Sequence, residues 1–151
     1  MRDISESPAS VVLETDYSVE EQIGYVLRRA HQRASAIFDV VMGKFQITPT
    51  QFTTLIKLQD MGEVSQNRLG RMAAMDPATT FGVISRLKKR DLIAQRTDPN
   101  DARRILLRLT PDGIKQTSEM RIAALQVTND TLSPLSLEEQ QALLTLLGKL
   151  T

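Results

Sequence analysis

The chain has 151 residues, 41% apolar and 25% charged, with a net charge of +1, one histidine and no cysteine. This balance predicts a globular domain with extensions, and it excludes disulfides, a thiol switch and a Cys/His metal centre, so no cofactor is expected. No run of about eighteen apolar residues is present to cross a membrane, and the acidic, polar start of the chain is unlike a secretory signal.

Residues 1–17 read as a loose arm, polar, with Pro8 and no helical period. Ser18-Val19-Glu20-Glu21 has the form of a capping box and predicts the start of a long helix. Its apolar stripe runs Ile23, Leu27, Ala30, Ala34, Ile37 and Val41, and it ends near Gly43 or Lys44. A small lobe cannot cover so long a stripe, which therefore wants the C-terminal helices or a second subunit.

Thr48-Pro49-Thr50-Gln51 is a second helix start, with Thr48 as cap and Pro49 at a position where its missing N–H costs nothing. Phe52, Leu55, Ile56 and Leu58 supply the core face, and Met61-Gly62 ends it. Val64-Ser65 leads into a short helix from Gln66 to Met75, with Leu69, Met72 and Ala73 inward. Asp76-Pro77 breaks that helix and caps the next. There Thr80, Val83, Ile84 and Leu87 recur at helical spacing as a buried face. Ala78, Thr79, Phe81, Gly82, Ser85, Arg86 and Lys89 are left outward. Lys88-Lys89-Arg90 suits the C-terminal dipole, and Asp91 tolerates a left-handed stop.

Leu92–Arg96 and Arg104–Leu109 are strand-like, with Ile105, Leu107 and Leu109 alternating onto one face, and the polar stretch Thr97–Arg103 between them has turn chemistry. Thr110-Pro111 starts a further helix carrying Ile114, Ser118, Ile122, Leu125 and Val127, and Ser136-Leu137-Glu138-Glu139 caps a last, leucine-rich one. The whole is mainly α with a small β-hairpin. A groove-sized helix followed by a basic β-ribbon is the layout of a winged helix-turn-helix. Residues 48–110 form that lobe, while 18–47 and 111–151 form a helical dimerisation region. Residues 64–110 carry ten basic side chains against four acidic ones, a net of +6 that leaves −5 for the remainder. Such asymmetry is the footprint of a nucleic-acid face on an acidic body.

Four segments resemble the MarR family of bacterial winged-helix regulators: TPTQFTTLIKL (48–58), SQNRLGRMAAMDPATTFGVISRLKKRDLI (65–93), DPNDARR (98–104) and LRLTPDG (107–113). The resemblance implies a cytoplasmic homodimer on double-stranded, palindromic DNA, with recognition helices in the major groove and wings in the minor groove. It implies a repressor released by a small aromatic, anionic effector, and the first helix resembles that of regulators of aromatic and heteroaromatic acid breakdown. This chain departs from the pattern at Phe81 and Gly82, where many relatives carry polar residues, and at Asp91, where glycine is usual.

Candidate DNA contacts follow from these elements. Arg103, which the family pattern puts at the wing tip, suits a narrow minor groove, the alternative being a pair with Asp98 or Asp101. Arg104 accompanies it. Ala78 and Thr79 lie at the reading end of the recognition helix, where Thr79 can bond a phosphate or touch a thymine methyl. Phe81 can press on thymine methyls. Arg86 can reach guanine, a phosphate, or Asp101 in a salt bridge. Ser65, Gln66 and Arg68 open the preceding helix and are natural phosphate contacts. Lys88, Lys89 and Arg90 read as a solvated helix end. For an aromatic acid, Tyr25, Arg28 and His31 on the first helix and Phe52 on the second offer cations and rings; His31 reads equally as a core or interface residue. An enzyme is rejected for want of any nucleophile, metal or phosphate-loop motif. The rival readings are a winged-helix protein–protein module and a regulator without a ligand.

Overall fold

The computed structural model describes residues 17–151, so the arm expected at 1–17 lies, apart from Tyr17, outside the described residues. The described residues divide into two units, one ending at Gln32 and the other Arg33–Thr151. The first helix, α1, is Ile23–Met42 and follows a short 3-10 turn at Val19–Glu21. The capping box expected at Ser18 does not form. The Ser18 hydroxyl donates to Glu20 Oε2 at 2.8 Å, and Gln22 is extended with its amide on the Ser18 carbonyl, which postpones the helix to Ile23. The buried side chains of α1 are Phe38 and Met42, beside the expected stripe, and Ile23 and Leu27 of that stripe are exposed.

The second unit is built on well-marked caps. Helix α2 (Pro49–Met61) opens on the reciprocal box of Thr48 and Gln51, each side chain bonding the other's backbone N–H at 3.2 Å. Gly62, at φ 74°, ends it and turns the chain into a three-residue strand β1 (Glu63–Ser65). Ser65 caps α3 (Gln66–Met72), which stops earlier than expected because Ala74 takes a left-handed φ of 53°. Helix α4 (Pro77–Lys89) starts on Asp76, whose carboxylate accepts the Thr79 N–H at 2.9 Å, and Asp91 closes it at φ 56° as the sequence predicts.

Strands β2 (Ile93–Asp98) and β3 (Asp101–Leu109) form the hairpin, and β1 joins it to give an antiparallel sheet in the order β1-β3-β2. Val64 faces Leu107 and Ile93 faces Leu109 in its register. The stretch Thr97–Arg103 is less of a loop than expected: the strands run on to Asp98 and from Asp101, leaving Pro99-Asn100 as the turn. Ile105 is 40% exposed, so the buried face of β3 begins only at Leu107. Thr110 caps α5 (Pro111–Leu132), and Ser136 with Glu139 caps α6 (Leu137–Gly148).

The core of this unit joins Leu55 and Leu58 of α2, Leu69 of α3, Leu87 of α4, Leu107 of β3 and Met120 of α5. The face of α4 formed by Thr80, Val83, Ile84 and Leu87 is buried in it. On α5 the expected stripe is displaced: Gly113, Thr117 and Met120 are buried, while Ile114, Ile122 and Leu125 are exposed. A side chain at Gly113 would meet the Leu92 carbonyl at 2.1 Å, so small residues set this contact where an apolar count points elsewhere. No residue of α6 is buried.

Candidate nucleic-acid interface

Helices α3 and α4 cross closely enough that a Cβ on Gly70 would lie 2.5 Å from Thr80 Oγ1. That hydroxyl donates to the Asp76 carbonyl at 2.8 Å, so it cannot swing aside. The crossing fixes the outer face of α4 against the start of α3. Ser65 there accepts the Arg68 N–H at 3.4 Å, Gln66 is half-buried, and the Arg68 side chain is exposed.

On α4 the outward residues are as the period predicts, and Phe81 is 67% exposed. Thr79 is more constrained than its sequence position implies. Its hydroxyl donates to Asp76 Oδ2 at 2.7 Å while its N–H donates to Oδ1. The single hydroxyl proton is thus engaged, and no donor is left for a phosphate; Thr79 offers its γ-methyl and an oxygen that can only accept. These bonds hold the Asp76 carboxyl below its ordinary value, so it stays ionised. Gly82 follows, and a Cβ there would meet only Arg86 Nη1, at 3.6 Å. Among the described residues Arg86 makes no ion pair, with Asp101 or any other carboxylate.

The turn of the wing is held by its own aspartates. Asp98 Oδ1 accepts the Asn100 N–H at 2.9 Å and Asp101 Oδ1 accepts the Arg103 N–H at 3.0 Å. Pairing then slips, from Asp98 opposite Asp101 to Thr97 opposite Ile105, so residues 102–104 bulge from the ladder. Arg103 sits in that bulge rather than at the tip, exposed and with no ion pair among the described residues. Asp98 is taken by Arg104 at 3.9 Å. A cleft of about 240 Å³ brings Arg103 and Arg104 together with Ser65, Gln66 and Asn67. At the wing base Arg96 grips Glu63 through two bonds of 2.8 and 2.6 Å, tying β2 to β1 across β3. That guanidinium holds the Glu63 carboxyl below its usual range.

Arg90 departs from its expected role as a solvated helix end. Its guanidinium donates to the Phe45 and Gln46 carbonyls, both at 2.8 Å, and so anchors the end of α4 to the connection after α1. Lys88 bonds Gln95 of β2 at 2.6 Å. Asn67 and Arg71, one turn apart on α3, line the clefts beside Gln66 and were not among the expected contacts.

Of the residues expected to meet an effector, Tyr25 lies under the guanidinium groups of Arg28 and Arg29, at 5.4 and 6.0 Å from the ring centre. His31 is exposed on the same helix. In the second unit Phe52 is half-buried against Phe38, ring centres 6.1 Å apart. Sequence reasoning missed a mainly apolar cavity of about 540 Å³ between the end of α2, the wing base and the start of α5. Leu58, Ala94, Leu109 and Ile114 wall it, with Gln59 and Arg108 as polar groups. The alternation of β3 placed Arg108 opposite the Leu107 face; its meeting with α2 is a tertiary fact.

The model of the MarR family matches residues 47–105. The HTH-type transcriptional repressor NicR of Pseudomonas putida is 39% identical over 145 residues, covering 95% of this chain and 92% of NicR. A probable transcriptional regulator from Pseudomonas aeruginosa superposes with a TM-score of 0.85 at 44% identity, over 89% of this chain and all of that one. BpsR of Bordetella bronchiseptica, whose DNA binding is regulated by 6-hydroxynicotinic acid, gives a TM-score of 0.85 at 41% identity, over 90% of this chain and 97% of BpsR.

Proposed function

This chain belongs to the MarR family of transcriptional regulators, which are not enzymes, and from that premise we propose that it is a cytoplasmic homodimeric repressor of a palindromic operator. Arg103 of each wing enters the minor groove and the outer face of each α4 lies in the major groove. The observation that carries this reading is the set of unpaired cations around a recognition helix whose inner face is wholly buried. Arg86 and Arg103 have no carboxylate partner among the described residues, and phosphates or guanine edges supply what they lack. A protein–protein module has no need of such a face. Dimerisation is supported by the exposed apolar residues of α5 and α6, including Ile122, Leu125, Leu144 and Leu146.

The effector is a heteroaromatic acid of the hydroxynicotinate type, the ligand class that regulates BpsR. One feature of the second unit supports it: the mainly apolar cavity of about 540 Å³, with Arg108 in its wall as a cation for a carboxylate. The test is a titration of DNA upstream of the protein's own gene across a salt series, with and without 6-hydroxynicotinic acid. Tight, steeply salt-dependent binding that the acid abolishes is expected. Weak binding insensitive to the acid and to DNA sequence would overturn the reading.

A further inference from the structure

We infer that the recognition helix reads the C5-methyl groups of operator thymines through Phe81, an inference that rests on the proposed operator binding. The hydrogen-bond donor at the reading end of α4 is already engaged, which leaves only the Thr79 oxygen as an acceptor. Ala78 has none, the Thr79 hydroxyl proton is held by Asp76 at 2.7 Å, and Phe81 and Gly82 follow. The next side chain able to hydrogen-bond a base at long reach is Arg86, more than a turn further on.

Phe81 is two-thirds exposed and lines a cleft of about 300 Å³ together with Ile84, Lys88, Lys89 and the polar side chains of Gln66, Ser85 and Gln95. An exposed apolar ring beside two lysines fits a polyanion that carries one apolar feature. In the major groove that feature is the thymine methyl; the polar base-edge groups are donors and acceptors that a phenyl ring would only desolvate. Gly82 points the same way. A mid-helix glycine costs stability relative to alanine, yet a Cβ there would meet nothing closer than Arg86 Nη1 at 3.6 Å, so no packing within the chain requires it. Bare backbone beside Phe81 lets the helix sit deeper and brings the ring onto the base edge.

The test begins by selecting an operator from random duplexes with the full chain. Thymines in the two half-sites are then replaced in symmetric pairs by deoxyuridine, which deletes the methyl and keeps base pairing. At one position the wild type should lose roughly fourfold per methyl, about fifteenfold for the pair, the worth of burying one such group at each site. Phe81→Ala should melt like the wild type and bind thymine and uracil operators alike, while Phe81→Leu keeps part of the discrimination. A wild type indifferent to every substitution, or a Phe81→Ala variant that still discriminates, would overturn the inference. Enrichment of no sequence at all would instead sink the operator-binding reading, and this inference with it.

Discussion

Gly82 and Arg103 are the residues whose local chemistry has least to do with folding. Gly82→Ala should raise stability by about 0.5–1 kcal/mol, since helical alanine replaces glycine and its Cβ meets only an ordinary contact with Arg86. The same change should weaken operator binding. A melt and a binding isotherm on one preparation check both signs, and a variant that is more stable and binds equally well would remove Gly82 from the interface. Arg103→Ala should leave the melt unchanged, because the side chain has no ion pair among the described residues, and should weaken binding about tenfold or more if its guanidinium enters the minor groove. At this scale the sequence was readable wherever a residue's role depended on its own helix. Thr80, Val83, Ile84 and Leu87 declared the buried face of α4, and hence that Phe81 is outward. The Thr79 proton and the Arg90 guanidinium were not readable. Each is decided by a partner's geometry, the former by which acceptor Asp76 offers, the latter by carbonyls some 45 residues away.

Elements were legible where a cap or a proline marked them. Asp76-Pro77, Thr48-Pro49 and Thr110-Pro111 each begin a helix as expected, because a side-chain acceptor and a missing N–H act within one turn. Strand β1 escaped because three residues are too few to show alternation, and it exists only by pairing with β3. The α5 face was misread because its contact with the rest of the lobe uses Gly113 and Thr117 rather than large apolar residues. Gly70 is the corresponding device between α3 and α4. Gly70→Ala should cost about 1–3 kcal/mol in a denaturant melt, as overpacking at a contact that cannot move, and Thr80→Ala in the same chain should recover part of it.

The wing has a testable charge of its own. Glu63 is held below its ordinary value of 4.5 chiefly by its bonds to Arg96, so the folded state binds that proton less readily than the unfolded. Its contribution is therefore present above 4.5 and lost as pH falls through the lowered folded value. A carboxyl-shift titration should put the Glu63 midpoint below 4.5 and return it towards 4.5 in Arg96→Gln. A midpoint unchanged by that substitution would mean the clamp at the wing base does not form in solution.

For the whole molecule the decisive quantity is how many phosphates one binding event neutralises. Helix α6 has no buried residue; Leu143 and Leu146, one turn apart, are 36 and 58% exposed, and Leu150 just past the helix end is 68% exposed. Left in water such a face is a liability, and a second copy of the chain covers it in the proposed dimer. If each lobe engages about four phosphates, the dimer neutralises about eight, and the log–log salt slope of operator binding should be near −7. Leu146→Glu places a charge in the middle of that face and should give a monomer by light scattering. The DNA-binding lobe of that monomer shares none of the substituted surface, so its melt should persist while its salt slope falls to about −3.5. A monomer that kept the slope of the wild type would mean that one lobe makes all the contacts and that the two-fold operator is wrong. A variant that stayed dimeric would move the interface off α6 and onto the exposed residues of α5, beginning with Ile122.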